Sequence, residues 1–349
     1  MKSEILIGDY LINDSSEPFI IAEVGINHNG EIDKVFEMIE LAKRAGVDCV
    51  KFQTFKANEF VGDPNQMFTY FSQGKEVTES MLAMFERYEF KNDQWKLIKE
   101  KCDEVGIHFM STPQNYTDLQ VLLEVGISAI KVGSDDFTNI PLIKKYSSTD
   151  LPIILSIGMS DLSEIYTTLN ELGTFDGYPT ILLLCTSIYP TPPEDVNLNK
   201  LLSLKGAFPN LILGFSDHSQ GPLASSLAVA YGAKVFEKHF TLDHDLPGPD
   251  HWFSENPEGL VEWVKSIRIS NRMLGSRLLK PADKEVENKK EFQRVIVAIE
   301  DIPEGTNFSD ANIGMKRVPG GKGFSGIYFN KIINTLASRD FKKGDPIVF

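Results

Sequence analysis

The chain has 349 residues, of which 42% are hydrophobic and 24% charged, a composition typical of a globular protein with a large core. Its formal charge of 35 − 49 = −14 excludes a broadly basic, nucleic-acid-coating surface, so any anionic ligand needs local Lys or Arg. Three cysteines without C-x-x-C spacing exclude a disulfide framework and a thiolate zinc site, and they predict a reducing, cytoplasmic location. No apolar run reaches about 18 residues and no signal peptide opens the chain, so we expect no membrane partner.

Eight short apolar runs rich in Ile, Val and Phe recur along the first 240 residues, with helical patterns between most of them. Glycines such as Gly46, Gly106 and Gly126 end these helical patterns and lead into the next run. The repeat predicts an α/β fold, a (β/α)8 TIM barrel. An open doubly wound sheet is the alternative, but no G-x-G-x-x-G motif opens the chain. The predicted strands are Phe19–Gly25, 49–55, 107–113, 129–134, 152–158, 181–187, 211–218 and 235–241.

The pattern changes after about residue 280, which divides the chain into predicted domains. Residues 1–280 form the barrel, with an N-terminal hairpin within residues 1–15, and the charged segment 281–291 is a linker. Residues 292–349 alternate strand-like runs at 295–299, 313–318, 332–337 and 346–349 with turns, which predicts a small, mostly β module. An aromatic-rich insertion, about 56–92, follows the second strand, and we expect either a loop over the substrate or a small packed subdomain.

Nearly every predicted strand ends in charged or hydroxyl residues. Such groups are costly to bury in a barrel mouth unless they are bonded or used. Because TIM-barrel active sites lie at the carboxyl ends of the strands, eight such ends predict one polar site. The residues are Glu23, Lys51, Gln53, Ser111, Thr112, Lys131, Ser134, Ser156, Thr186, Ser187, Tyr189, Ser216, Asp217, His218, Glu237, Lys238 and His239.

The two histidines His218 and His239 end consecutive strands, so we expect them to be adjacent. Two neutral imidazoles suit a divalent transition metal such as Mn, Fe, Co or Zn. The alternation of strand side chains places Glu237 on the same face as His239, as a third ligand or as a group that orients a ligand. The alternative is that both histidines only bond backbone at strand ends.

Two lysines, Lys51 and Lys131, point into the same predicted mouth. A phosphate or carboxylate would neutralise both. Salt bridges to Glu23, Asp135 or Asp136 are the first alternative, and a Schiff-base lysine is the second. The hydroxyls that would flank the anion belong to Thr112, Ser134, Ser156 and Ser216.

Eight motifs follow one another along the predicted barrel. They are Ile21-Ala22-Glu23-Val24-Gly25-Ile26-Asn27-His28-Asn29-Gly30, Val50-Lys51-Phe52-Gln53-Thr54, Ser111-Thr112-Pro113, Ile130-Lys131-Val132-Gly133-Ser134, Cys185-Thr186-Ser187-Ile188-Tyr189-Pro190-Thr191-Pro192, Gly214-Phe215-Ser216-Asp217-His218, Glu237-Lys238-His239-Phe240-Thr241 and Pro247-Gly248-Pro249-Asp250. In order and spacing the chain resembles the N-acetylneuraminate (sialic acid) and nonulosonic acid synthase family, and residues 292–349 resemble that family's antifreeze-like (SAF) domain.

This resemblance implies a chemistry, a cofactor and an assembly. The family condenses phosphoenolpyruvate with an acylamino sugar and releases phosphate, as a domain-swapped homodimer whose SAF domain covers the partner's barrel. The resemblance implies a divalent metal on His218 and His239, Mn²⁺ first, with Mg²⁺ or Co²⁺ as alternatives. It assigns catalysis to Glu23, Lys51, Lys131 and His239. Phosphoenolpyruvate would meet Lys51, Thr112, Lys131, Ser134, Ser156 and Ser216, and the sugar would meet Glu23, Gln53, Asp136, Ser187, Tyr189, Asp250 and Arg317.

Three departures from the family pattern fall on the sugar side. Asp135-Asp136 stands where sialic acid members usually have Gly-Glu, Ser187 replaces a usual Asn or Thr, and Val318 separates Arg317 from Pro319. The acceptor therefore stays open between N-acetylmannosamine and diacetamido sugars of legionaminate or pseudaminate type. We expect an unphosphorylated sugar, because no extra phosphate site is visible.

Two other functions compete with the synthase hypothesis. A metal-dependent sugar isomerase or epimerase on the same barrel would use His218, His239 and Glu237, but it would not need two lysines and a row of hydroxyls. A binding protein with an ice-binding tail would need a regular array of Thr, and residues 292–349 hold only Thr306 and Thr335.

Overall fold

The computed structural model describes residues 1–348 and divides into two compact units, Met1–Gly275 and a second unit that begins at Ser276. The division falls slightly before the predicted boundary at residue 280. No helix in the described part of the chain combines the length and the apolar character needed to cross a membrane.

The first unit alternates strands and helices along residues 1–275. Its strands are β1 Ile5–Ile7, β2 Tyr10–Ile12, β3 Phe19–Gly25, β4 Cys49–Thr54, β5 Met67–Ser72, β6 Lys75–Ser80, β7 His108–Pro113, β8 Ile130–Val132, β9 Ile153–Ser156, β10 Thr180–Cys185, β11 Ile212–Ser216 and β12 Val235–His239. Its helices are α1 Ile32–Ala45, α2 Ala57–Phe60, α3 Met81–Tyr88, α4 Asn92–Val105, α5 Tyr116–Val125, α6 Ile140–Ser147, α7 Leu162–Glu171, α8 Pro193–Val196, α9 Asn199–Ala207, α10 Leu223–Ala230 and α11 Pro257–Leu274.

Eight parallel strands form the barrel sheet in the order β7-β4-β3-β12-β11-β10-β9-β8, and β7 and β8 lie side by side at the closing edge. All eight predicted strands are present, so the predicted TIM barrel is confirmed. Gly46, Gly106 and Gly126 have φ of 84°, 72° and 91° at the ends of α1, α4 and α5. This left-handed conformation costs glycine little and turns the chain toward the next strand.

The interior of the barrel is apolar at one end and polar at the other. Alternate side chains of a strand face the same way, so Phe19, Ile21 and Glu23 of β3 share the inner face. Phe19 and Ile21 belong to a buried cluster that also contains Ile7 and Ile12 of the antiparallel β1–β2 hairpin. The predicted N-terminal hairpin therefore forms and packs into the amino end of the barrel, which leaves the carboxyl end for polar groups.

The insertion after β4 folds as helix α2, the antiparallel β5–β6 hairpin and helix α3. Met84 and Tyr88 of α3 pack with Ile26 and Phe55, which follow β3 and β4. The insertion is thus a small packed substructure resting on the loops at the carboxyl end of the barrel.

The second unit holds helix α12 Asp283–Phe292, strands β13 Val295–Ala298 and β14 Ile313–Lys316, and helix α13 Phe329–Ile332. The predicted linker is mostly the exposed helix α12. The predicted strand at 332–337 does not form as one strand, because α13 ends at Ile332 and Asn334 has φ of 65°, which interrupts extended backbone. Of the predicted last strand, Pro346 bridges Val297, and Phe349 lies outside the described residues.

Candidate active site

A cavity of about 450 Å³ opens at the carboxyl ends of the barrel strands. The inner faces of β3, β4, β11 and β12 begin with apolar residues and end with polar ones. Because alternate side chains of a strand face the same way, these polar residues line the cavity. The structure brings most of the predicted site residues together here. They are Glu23, Lys51, Gln53, Thr112, Lys131, Ser134, Ser156, Ser187, Tyr189, Ser216, His218, Glu237, His239 and Asp250.

The two lysines form ion pairs with two carboxylates at the bottom of this cavity, and one of these, Glu237, contacts both lysines. Lys51 Nζ lies 2.8 Å from Glu23 Oε2 and 3.6 Å from Glu237 Oε2, and Lys131 Nζ lies 3.6 Å from Glu237 Oε1. All four residues are at most 5% exposed. The salt bridge from a lysine to Glu23, which sequence reasoning left open, is therefore present, whereas the role of Glu237 as partner of both lysines was not foreseen.

Hydroxyl groups complete the shell around the lysines. Lys51 Nζ donates to Thr112 Oγ1 at 3.2 Å, and Lys131 Nζ donates to Ser156 Oγ at 2.8 Å. Ser216 Oγ donates to Glu237 Oε1 at 3.0 Å. Ammonium and hydroxyl donors therefore converge on one face of the cavity, which is the chemistry that binds phosphate or carboxylate oxygens.

The two lysines differ in how well their charge is compensated. Burial lowers the pKa of Lys51, but the adjacent Glu23 and Glu237 outweigh burial and raise that pKa above its ordinary value. Burial dominates for Lys131 and lowers its pKa, since its close hydrogen bonds go to neutral oxygens of Ser156 and Val132. Lys131 is therefore the cation that gains most from an added anion.

The two histidine rings lie close together and differ in their hydrogen bonding. The ring centroids of His218 and His239 are 5.6 Å apart, and Tyr189 packs on both rings. His218 Nδ1 lies 2.8 Å from Thr186 O, so it donates to that carbonyl, while Nε2 lies 3.5 Å from Ser216 Oγ and 4.0 Å from Cys185 Sγ. His239 Nδ1 is buried without a hydrogen-bond partner in the described structure.

These features fit a divalent metal better than a structural role. A metal-bound histidine usually donates its second ring N–H to a carbonyl or carboxylate, as His218 does to Thr186. Burial lowers the pKa of His239 well below its ordinary range and keeps its imidazole neutral, the form that binds metals. Within residues 1–348 no group of three or more His, Cys, Asp or Glu residues is arranged to hold a metal, so Glu237 does not complete the histidine pair as a third ligand.

One predicted sugar contact, Asp136, lies outside this cavity, and another, Arg317, belongs to the second unit. Asp136 does not line the cavity: its Oδ1 accepts a hydrogen bond from Asn139 Nδ2 at 2.8 Å, next to the start of α6. Asp135 lines the cavity in its place. Arg317 belongs to the second unit, where its Nε donates to Phe292 O at 3.1 Å.

Other lining residues were not singled out as site residues from the sequence. Gln114 follows Pro113, and its Oε1 is buried without a hydrogen-bond partner in the described structure. The insertion contributes Phe60, Phe68 and Phe85, so this packed substructure also forms a wall of the cavity. The sequence predicted that the insertion lies near the site, because it follows the carboxyl end of a strand. It could not predict which aromatic side chains reach the cavity, because that depends on packing. Gly133, Met159 and Cys185 also line the cavity.

Asp250 gives a pH-dependent stability that can be measured. Burial, with the charge of Glu23, raises its pKa to about 7. The unfolded chain releases this proton near pH 4, so between those values the native state binds more protons and its stability falls as pH rises. In metal-stripped protein we expect Asp250→Asn to raise Tm at pH 8 by at least about 2 °C, the shift for roughly 1 kcal/mol in a domain of this size. The rise should be clearly smaller at pH 5, where less of the difference in proton binding has accumulated. Equal shifts at both pH values would contradict this.

The fold and the site define a TIM barrel whose mouth carries two buried lysines beside a histidine pair. Comparison with known proteins agrees: residues 38–278 match the family model described as NeuB family, and residues 293–349 match the SAF domain model. The chain belongs to the NeuB family of sialic and nonulosonic acid synthases, and the resemblance of its motifs is confirmed.

Individual relatives cover most of the chain. It is 37% identical over 325 residues to N,N'-diacetyllegionaminic acid synthase of Legionella pneumophila, covering 92% of this chain and 90% of that protein. It is 36% identical over 296 residues to human N-acetylneuraminate-9-phosphate synthase, covering 82% and 80%. The crystal structure of N-acetylneuraminic acid (sialic acid) synthetase from Leptospira borgpetersenii matches with a TM-score of 0.73 and 32% identity, over 84% of this chain and 98% of that chain.

Proposed function

We propose that the chain catalyses a metal-dependent condensation of phosphoenolpyruvate with an N-acylamino hexose, giving a nine-carbon nonulosonic acid and phosphate. The observation that carries this proposal is the pair of buried lysines, ringed by hydroxyls, in the same cavity as the two histidines. The lysines and hydroxyls suit the phosphate and carboxylate of phosphoenolpyruvate. The histidines suit a metal beside the second reactant.

The lysines act by charge and by position. Lys131 and Lys51, with the hydroxyls of Thr112, Ser156 and Ser216, would hold the anionic reactant against the strand ends. Fixing the enol in one orientation beside the sugar aldehyde makes the bimolecular step effectively unimolecular. The buried ammonium groups also stabilise the charge on the departing phosphate, because few solvent molecules screen them.

The proposed reaction balances in three events. The enol carbon attacks the aldehyde carbon and forms the new C–C bond, which leaves a cationic carbon at the phosphate-bearing position. Water adds there and loses a proton, the former aldehyde oxygen takes up a proton to become a hydroxyl, and the C–O bond to phosphate breaks to give the keto acid, with the second proton of the water leaving with the phosphate. Glu23, whose pKa burial raises, would orient or deprotonate that water. A divalent ion on His218 and His239, Mn²⁺ before Mg²⁺ or Co²⁺, would supply the Lewis acid that polarises the aldehyde oxygen.

The acceptor we propose is unphosphorylated. Among the described residues that line the cavity, Lys51 and Lys131 are the only lysines or arginines, and both serve the phosphoenolpyruvate. Phe60, Phe68 and Phe85 form an apolar wall that would leave a second phosphate unpaired. N-acetylmannosamine and diacetamido-trideoxy hexoses both meet this requirement.

Phosphate release tests this function and its acceptor together. Metal-stripped protein is incubated with phosphoenolpyruvate, Mn²⁺ and each of N-acetylmannosamine, its 6-phosphate and a diacetamido-trideoxy hexose. We expect release only with both metal and an unphosphorylated sugar. Release with the 6-phosphate alone would contradict the proposed acceptor. Isomerisation of a sugar without phosphate release would favour the metal-dependent isomerase.

Assembly and location complete the proposal. We propose a domain-swapped homodimer in which Arg317 meets the sugar in the partner's barrel, since Arg317 belongs to the separate second unit. Sedimentation at twice the mass of 39.1 kDa would support it, and a monomer that is fully active would contradict it. A cytoplasmic location is in keeping with the three buried free cysteines.

A further inference from the structure

A second buried ion network lies immediately behind the histidine pair. Lys238 is 2% exposed, and its Nζ lies 3.2 Å from Asp217 Oδ2 and 3.7 Å from Glu255 Oε1. The same ammonium donates to the carbonyl oxygen of Ser219. None of these four residues lines the cavity, so the reaction described above does not use them.

Strand alternation connects this network to the histidines. Ser216 and Glu237 are register partners on β11 and β12, and both line the cavity. The next residue on each strand, Asp217 and Lys238, therefore faces the outer layer of the barrel. His218 follows Asp217 and His239 follows Lys238, so each histidine is covalently adjacent to one member of the ion pair.

Asp217 is fixed by a fully satisfied set of donors. Its Oδ1 accepts from Ser219 N at 2.9 Å and from Ser219 Oγ at 2.6 Å, and its Oδ2 accepts from Ser225 Oγ at 2.6 Å. Ser225 Oγ in turn accepts from Trp263 Nε1 at 2.8 Å, and Trp263 is fully buried in α11. The loop that carries His218 is thus anchored to helices α10 and α11.

Glu255 ties the second histidine to the same network. Its backbone N–H donates to His239 O at 2.8 Å, and its Oε1 accepts from Gly221 N at 3.1 Å. One residue therefore contacts Lys238, the carbonyl of His239 and the loop after His218. The three charges connect the backbones of both histidines.

We propose that Lys238, with Asp217 and Glu255, is a positioning residue that holds the two imidazoles at the separation required to share one divalent cation. Stability alone gives no reason for such a network, since apolar replacement of a buried ion pair is often neutral or stabilising. This inference rests on the metal site of the proposed function.

The test measures Mn²⁺ affinity of the full-length, metal-stripped chain by electron paramagnetic resonance, with Tm as a separate readout. We expect Lys238→Met to weaken Mn²⁺ binding about 10-fold or more, the usual effect of losing a group that supports a metal ligand. Lys238→Met leaves the Asp217 carboxylate without its cation, so the double variant Asp217→Asn/Lys238→Met, which removes both buried charges, is measured alongside. It should fold at least as well as the single variant and still bind Mn²⁺ weakly.

Arg268→Met is the matched control. Arg268 Nη2 lies 2.7 Å from Asp48 Oδ2, and Asp48 immediately precedes β4 at the amino end of the barrel, remote from the histidines. It should lower Tm without changing Mn²⁺ affinity. Wild-type Mn²⁺ affinity in either folded Lys238 variant would overturn the positioning role, and failure of both variants to fold would assign the network to stability instead. A wild-type chain that binds no Mn²⁺ would instead refute the metal site of the proposed function, and this inference with it.

Discussion

Replacing Lys131 with Met is expected to lower kcat/KM for phosphoenolpyruvate about 10³-fold, or roughly 4 kcal/mol of transition-state stabilisation. Lys131 Nζ donates hydrogen bonds to Ser156 Oγ and to the backbone carbonyl of Val132, and Glu237 Oε1 lies 3.6 Å away. Burial already disfavours its charge, so the incoming anion would be its main partner. Steady-state phosphate release at saturating sugar measures the loss.

Lys99→Met is the control for removal of a lysine charge. Lys99 pairs with Asp103 on the surface of α4, and such exposed pairs contribute at most about 1 kcal/mol. It should leave kcat/KM within twofold of the wild-type value. If folded Lys131→Met kept more than a tenth of the wild-type kcat/KM, the anion site would not be where we place it.

Replacing His239 with Ala is expected to abolish detectable Mn²⁺ binding and to lower kcat about 10³-fold. Its Nδ1 is buried without a hydrogen-bond partner among the described residues, with Asp250 Oδ2 3.9 Å away, and His218 alone would leave the proposed site with one histidine ligand. Binding of phosphoenolpyruvate in the absence of metal should change little, because the lysines remain.

His108→Ala is the matched control for His239→Ala. His108 begins β7 at the amino end of the barrel and contacts Asp9, so it should affect stability but not Mn²⁺ binding. Mn²⁺ affinity of His239→Ala equal to that of His108→Ala would contradict the metal assignment.

The barrel and the residues of its mouth could be predicted because their causes are local. Each strand is a short apolar run, and residues such as Gly46 end the helices in a conformation that glycine favours. Once the strands are assigned, alternation alone places Glu23, Lys51 and Glu237 at the inner carboxyl ends.

Partner choice within the mouth could not be predicted because it depends on closure of the whole barrel. The sequence offered Glu23, Asp135 and Asp136 as acids for the two lysines, but the structure pairs Lys131 with Glu237, which comes from a strand far along the chain. The presence of Asp135 rather than Asp136 at the cavity also depends on how the chain folds after β8. A Cβ at Gly133 would lie 2.2 Å from Asp135 Oδ1, so the turn folds Asp135 back over a glycine, which periodicity does not reveal.

In the second unit, the sequence likewise predicted which residues are buried but not the backbone conformation of every segment. Strands β13 and β14 form where the apolar runs predict them. The run at 332–337 also packs into that core through Ile332 and Ala337, but it does so as a helix end and a single bridge at Leu336. Apolar character therefore predicted burial correctly there, while the backbone conformation followed from Asn334.

The bond that breaks in phosphoenolpyruvate distinguishes the proposed condensation from simple hydrolysis. Phosphoenolpyruvate carrying ¹⁸O in the oxygen that bridges carbon and phosphorus is incubated with Mn²⁺, an unphosphorylated acylamino sugar and the wild-type chain. We expect the phosphate that is released in the presence of sugar to retain this ¹⁸O. Water adds to carbon and the C–O bond breaks, so the bridging oxygen leaves with the phosphate. Phosphate without the label would mean cleavage at phosphorus, as in simple hydrolysis, and would contradict the proposed condensation.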